Sequence, residues 1–141
     1  MAPEDLHALT ERLLDTARER FLRDGAHEGI AYLLVRGVHT SIAVTLAAAE
    51  DRAVVRRIFE AAAREGAEAC ALVTEARSRT GEALLVVEAA SRDGHTLREL
   101  IVERTREGNR LSAKGPADPG ASPLLAGLLW PGRSGPVPER E

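Results

Sequence analysis

The sequence predicts an α+β domain with a mostly antiparallel sheet, and two kinds of pattern lead to this prediction. In two segments, apolar residues recur at steps of three and four, which is the period of an amphipathic helix. Five shorter segments combine apolar stretches with turn residues at their ends, as β-strands do. The order helix, two strands, helix, three strands favours a five-stranded sheet with both helices packed on one face.

The first three elements follow from the spacing of apolar residues. A helix is predicted over residues 4–23, because Pro3 suits its first turn and acidic residues follow. Residues 29–36 are apolar without alternation, which predicts a central strand that is buried on both faces. Residues 40–46 alternate and are expected to form a hairpin with that strand. The apolar stripe of the helix consists of Leu6, Leu9, Leu13, Ala17 and Phe21.

A second helix and three more strands complete the predicted domain. The helix is expected over residues 48–65, and the strands over residues 68–76, 82–89 and 95–103. The strand over 82–89 is continuously apolar at its centre, so it is expected inside the sheet. The last strand carries several charges, which predicts either an edge strand or a strand that is buried on one face only.

The composition of the chain changes near residue 106. Residues 1–106 are expected to form the α+β domain, and residues 107–141 are expected to form a Pro/Gly-rich flexible tail. Within the tail, residues 124–131 form a short apolar segment between two polar stretches. This tethered apolar segment is the most unusual local feature of the sequence.

Bulk composition narrows the class of protein. The 141 residues carry a net charge of -3 and only 3% aromatic residues, which disfavours binding of nucleic acid through phosphates or stacked bases. The longest apolar runs are far shorter than the roughly 20 residues that span a bilayer, and the N-terminus does not resemble a secretory signal. A cytoplasmic protein that contacts neither nucleic acid nor membrane is expected. The use of arginine for all but one of the 19 basic residues is typical of a GC-rich bacterium or phage.

No catalytic, cofactor-binding or metal-ligating group of residues is predicted. The sequence has no Cys-x-x-Cys, no phosphate-binding glycine motif and no nucleophile elbow. Cys70, the single cysteine, lies inside a predicted strand, which favours a buried and inert thiol. Three histidines, His27, His39 and His95, fall at strand ends or turns. They are interpreted as exposed turn residues or, alternatively, as residues that converge on a pocket at one end of the sheet.

The apolar segment of the tail has two interpretations, and both stay open. It folds back over an apolar patch of its own domain, or it is a linear motif that docks into a groove of a partner protein. The residues expected to bind such a partner are Leu124, Leu125, Leu128, Leu129 and Trp130.

The leading functional prediction is a non-enzymatic interaction or regulatory module that forms a homodimer and binds a protein partner through its tail. The contact between copies is expected at a strand edge such as residues 95–103, or on the face of the second helix. The alternative is a small enzyme or ligand-binding domain whose pocket lies near the histidine-bearing turns.

Two resemblances add to these expectations. The order of elements over residues 5–104 resembles that of roadblock/longin-type domains, which also begin with a helix, a hairpin, a second helix and three strands. This resemblance implies homodimerisation and a regulatory role beside a small GTPase. Residues 124–129, Leu-Leu-Ala-Gly-Leu-Leu, are similar to the Leu-x-apolar-Gly-x-Leu pattern of peptides that load cargo into encapsulin shells. That similarity implies a docking role for the segment.

Overall fold

The computed structural model describes residues 3–115 and 119–131, and it shows two helices and an open antiparallel sheet. In chain order the elements are α1 (Pro3–Asp24), β1 (Gly29–Val35), β2 (Val38–Val44), α2 (Ala49–Arg64), β3 (Ala69–Arg77), β4 (Ala83–Ser91), β5 (Gly94–Thr105) and β6 (Gly108–Ala113). The α+β class is therefore confirmed, and so is the order of the first seven elements. Neither helix in the described part of the chain has the length and apolarity needed to cross a bilayer.

The sheet has six strands, so the prediction of five is wrong. The additional strand, β6, lies in the stretch that was predicted to begin the flexible tail at residue 107. Leu111 is its one large apolar side chain and packs beside the buried cluster under α1. Because it has one large apolar side chain, the sequence of β6 has the polar composition that is typical of a loop. Its backbone nevertheless forms a ladder with β5. The end of the predicted tail, residues 132–141, lies outside the described residues.

The strand order is β2-β1-β3-β4-β5-β6, and each neighbouring pair is antiparallel. The central positions predicted for β1 and β4 are confirmed. Of the two alternatives for residues 95–103, the edge position is wrong, because β5 lies between β4 and β6. Its charged side chains are accommodated by partners: Arg98 is paired with Glu11 of α1, and Glu99 lies near Lys114.

The two helices lie on opposite faces of the sheet, which corrects the prediction that they share one. Ala71 and Val73 of β3 belong to the buried clusters under α1. Cys70 and Leu72 belong to the cluster under α2, and adjacent residues of a strand point to opposite faces. Because β3 and β4 are apolar on both faces, one layer of helices cannot bury them.

The face that α2 covers is completed by residues of the predicted tail. α2 packs over β1 and β3, and residues 121–130 cover the same face over β4 and β5. On the other face α1 packs over β3, β4, β5 and β6. Neither of the two helices in the described part of the chain covers β2 on the α1 face of the sheet, and a groove lies there.

Candidate functional site

The structure places four of the five predicted partner-binding side chains inside the protein. Leu124, Leu125, Leu128 and Trp130 are between 0% and 5% exposed, and they join the cluster that contains Phe59 and Leu72. Leu129 points outward with 60% of its surface exposed. These four side chains therefore agree with the first of the two interpretations, in which the segment folds back onto its own domain. Residues 119–131 are called the C-terminal segment below.

A buried glutamate on β4 holds the backbone of the C-terminal segment. Glu88 is 2% exposed, and its two carboxylate oxygens accept one hydrogen bond each from consecutive backbone N–H groups. Leu124 N–H donates to Oε1 at 2.7 Å, and Leu125 N–H donates to Oε2 at 2.8 Å. Hydrogen bonds to a charged carboxylate are the stronger kind, so this residue fixes the position of the segment over the sheet.

His95 on β5 is the third partner of this carboxylate. Its Nε2 lies 2.6 Å from Oε2 of Glu88, and its side chain is fully buried. A carboxylate oxygen only accepts, so this contact is a hydrogen bond in the tautomer of His95 that carries its proton on Nε2. The other ring nitrogen, Nδ1, is buried and has no hydrogen-bond partner among the described residues. Glu88 and His95 thus point to the same face of the sheet, where the C-terminal segment binds Glu88.

Two arginines of α2 hold the carbonyl groups of the same segment. Arg52 and Arg56 are four residues apart and therefore lie on one side of the helix. Nη1 of Arg56 donates to the carbonyl oxygens of Leu124 at 2.5 Å and Ala126 at 2.7 Å. Nη2 of Arg52 donates to the carbonyl oxygen of Ser122 at 3.1 Å. The helix therefore contributes donors to the carbonyl groups of the segment, while Glu88 accepts from its N–H groups.

Two further contacts anchor the ends of the C-terminal segment. Glu99 on β5 accepts the backbone N–H of Ala121 at 2.7 Å. At the other end, the indole Nε1–H of Trp130 donates to the carbonyl oxygen of Ala67 at 2.8 Å. Four large apolar side chains of the segment are thus buried in the core, while charged side chains of the folded domain bind the backbone of the segment. The four residues that do so, Glu88, Glu99, Arg52 and Arg56, are called the clamp.

One residue of the clamp, Glu88, could have been recognised from the sequence. Glu88 is the single charged residue in the strand that runs from Ala83 to Ser91 and is otherwise almost entirely apolar. A charged side chain in a doubly buried strand needs a partner, and such a position indicates a polar site. Nothing in the local sequence distinguishes Arg52 and Arg56 from surface arginines.

The three histidines of the alternative prediction do not converge. His95 and His39 lie near the same end of the sheet but on β5 and β2, which are four strand spacings or about 19 Å apart. His27 precedes β1 at the opposite end, where its backbone N–H binds Glu75. The prediction of one pocket shared by these residues is therefore wrong. Within residues 3–115 and 119–131, no three His, Cys, Asp or Glu side chains are grouped as a metal site would require.

Cys70 is buried on β3, as its position in the sequence predicts. Burial raises the pKa of its thiol from the ordinary value of 9.0 to about 12. The sign follows from solvation, because the thiolate is charged and loses the water that would stabilise it. At neutral pH the residue is therefore a protonated, unreactive thiol.

We expect Cys70 to resist thiol reagents in the native protein. A shift from 9.0 to about 12 lowers the thiolate fraction at pH 8 by roughly a thousandfold, and burial also blocks access of the reagent. The measurement is the rate of reaction with a chromogenic disulfide, with and without denaturant. Above pH 9 the unfolded thiol ionises before the folded one, so the free energy of unfolding falls as pH rises towards 12. Rapid labelling of the native protein at pH 8 would contradict this expectation.

No protein-family model, no curated protein and no solved structure matches this chain. The resemblances to roadblock/longin-type domains and to encapsulin-loading peptides therefore stay predictions. The clamp and the C-terminal segment are assigned from their geometry.

Proposed function

We propose that this chain is a non-enzymatic protein-interaction module that binds a leucine-rich segment in the cleft between α2 and strands β4 and β5. Its own C-terminal segment occupies this cleft in the structure. The proposal keeps the predicted docking role of the segment and assigns its first docking site to the same chain. It also includes self-association of the domain, which is argued separately below.

The observation that carries the proposal is the way in which the clamp binds backbone groups. Glu88 accepts two consecutive N–H groups while Arg56 donates to two carbonyl groups, so both donors and acceptors of the segment's backbone are bound. Backbone groups are common to all residues, so these contacts set the direction and register of a bound segment rather than its sequence. Domains that recognise peptides use main-chain contacts for affinity and separate pockets for specificity.

Three buried side chains of the segment supply the specificity. Leu125 and Leu128 are fully buried, and Trp130 is 4% exposed with its indole N–H satisfied. Their spacing defines a Leu-x-x-Leu-x-Trp pattern, whose apolar anchors fill the cluster under α2. We therefore expect a partner segment to carry large apolar residues at these spacings.

Exchange between the tethered segment and a partner segment would give the module its regulation. A tethered ligand acts at an effective concentration in the millimolar range, so a free partner has to compete with it. A partner that succeeds occupies the clamp and releases residues 119–131. The released side chains are then available to dock elsewhere, as the linear-motif interpretation requires.

The exchange is tested in a chain that folds intact and is then cut. A protease site replaces residues 116–118, the purified protein is cleaved, and a fluorescent peptide with the sequence of residues 119–131 is added. We expect the peptide to enter the cleft, with a rise in fluorescence anisotropy and release of the cleaved segment. A peptide carrying Leu128→Asp is the matched control and should not bind, because the position is fully buried. Failure of the unmodified peptide to exchange would show that the segment is a permanent part of the core, and the proposal would be wrong.

A further inference from the structure

Strand β2 is an edge of the sheet, and its own sequence has none of the residues that usually protect such an edge. It is the first strand in the order β2-β1-β3-β4-β5-β6, and its seven residues, Val-His-Thr-Ser-Ile-Ala-Val, include neither proline nor an acidic, lysine or arginine residue. Natural edge strands are kept from pairing by charged residues, prolines, bulges or short length. The opposite edge, β6, has six residues and carries Arg110. The two edges therefore differ in how readily they would accept another strand.

The hairpin geometry shows which backbone groups of β2 face outward. Arg36 and Gly37 have φ values of 51° and 76°, as in a two-residue type I′ turn, so Val35 and Val38 are its hydrogen-bonded closing pair. Hydrogen-bonded and non-bonded pairs alternate along an antiparallel ladder, so His39 does not bond back to β1. Its partner, Leu34, agrees with this assignment, because the carbonyl of Leu34 accepts from Glu68 on the β3 side.

The same alternation applies along the rest of the strand. His39, Ser41 and Ala43 therefore direct their backbone N–H and C=O groups away from the sheet, whereas the groups of Thr40 and Ile42 bond to β1. Outward groups at every second residue are the template that an added antiparallel strand requires.

Apolar surface adjoins this edge. Val38 is 63% exposed at one end of the strand. On the α1 face, a groove of about 510 Å³ lies between α1 and the edge and is lined by side chains that include Leu9, Leu13, Tyr32 and Leu34. The groove exists because α1 packs over β3 to β6 and does not extend over β2 on that face.

We infer that a second copy of this chain pairs with it, β2 against β2, in an antiparallel register centred on Ser41. In this register Ser41 faces Ser41 of the copy, and His39 faces Ala43 of the copy, so outward groups meet outward groups. All seven residues of the strand take part, and Val38 meets Val44 of the copy on the α2 face. The two sheets become one continuous sheet of twelve strands, twice the six of one chain.

The register explains why the partner is a second copy. The strand has no acidic, lysine or arginine side chain, so two identical strands meet without repulsion between like charges. A two-fold axis through Ser41 places equal residues at equal distances, which is the self-complementary arrangement of a homodimer. The axis is perpendicular to the sheet, so both α1 helices lie on the same side. The two grooves then join into one trough across the dimer.

The test uses the full chain and opposite charges at the two-fold axis. Sedimentation equilibrium at micromolar concentration is expected to give twice the chain mass of 15.1 kDa. Ser41→Lys and Ser41→Glu should each weaken the dimer roughly tenfold or more, because like charges then lie directly opposite each other. Mixing the two variants should restore a dimer that contains one copy of each. Ser112→Lys on β6 is the matched control and should leave the dimer unchanged.

Three outcomes would overturn this inference: a wild-type monomer, Lys and Glu variants that remain dimeric, or a mixture in which the dimer is not restored. A dimer that is lost in Ser112→Lys alone would assign the contact to β6 and reject the β2 register. The inference names the partner for the self-association in the proposed function, but β2 is remote from the clamp. Peptide exchange measured in monomeric Ser41→Lys therefore reports on the cleft alone, so the two proposals fail separately.

Discussion

Ending the chain at Lys114 is expected to lower the free energy of unfolding by about 5 kcal/mol or more, since burial of a leucine side chain contributes about 1.5–3 kcal/mol. The truncation removes three buried leucines together with Trp130. It also removes the two N–H groups that Glu88 accepts. The free energy of unfolding of a whole domain is about 5–15 kcal/mol, so the shortened protein is expected to be close to unfolding.

Urea unfolding followed by circular dichroism measures this effect. The matched control ends at Pro131, because it retains the C-terminal segment and all the contacts described for it. We expect the control to unfold at the urea midpoint of the full chain, and the Lys114 truncation to unfold at a much lower one. Equal midpoints for the two truncations would mean that the segment contributes little to the fold.

Replacement of Glu88 by alanine has the second largest expected effect, a loss of about 3–5 kcal/mol, which is the usual result of breaking a buried polar pair. The change leaves Leu124 N–H, Leu125 N–H and the Nε2–H of His95 without their acceptor. All three donors are buried, and a buried donor that loses its acceptor is no longer compensated for its lost hydration. Glu88→Gln retains the size of the side chain but only one acceptor oxygen, so it should lie between alanine and the native residue.

Two measurements separate the clamp from a general loss of packing. Chemical denaturation of Glu88→Ala and Glu88→Gln gives the order of stabilities, and Glu103→Ala on the exposed part of β5 is the control. Amide hydrogen exchange then reports on the segment, where protection of Leu124 and Leu125 should fall most. If these two amides keep their protection in Glu88→Ala, the segment is held by its apolar side chains and the clamp has no role in binding it.

The elements of the fold could be predicted because their signals are local. The stripe of Leu6, Ala17 and Phe21 predicts α1, and the continuous apolar stretch around Leu84 predicts a central strand. Both signals depend on neighbours within a few residues, and burial of the same side chains in the structure agrees with them. β6 escaped prediction because a strand paired on one side needs few apolar residues, and Leu111 alone does not form a pattern.

The pairing of the elements was harder to predict from the sequence, since it depends on contacts between residues that are distant in the chain. Charges on β5 favoured an edge strand, but Arg98 and Glu99 find partners on α1 and near the end of β6. Both faces of β3 and β4 are apolar, which already argues for cover on both sides of the sheet. The helices were nevertheless expected on one face, because periodicity describes a helix and not the face that it covers.

The sequence by itself determined the α+β class, the two helices, the central strands, the buried thiol of Cys70 and the apolar nature of the C-terminal segment. Only the tertiary structure decided that four large side chains of that segment are buried against its own domain. It also brought Glu88 and Arg56, which are 32 positions apart in the chain, to the backbone of the same residue, Leu124. The physical reason is the distance along the chain over which each signal acts. Periodicity and turn chemistry act between near neighbours, whereas the clamp depends on which strands and helices pack together.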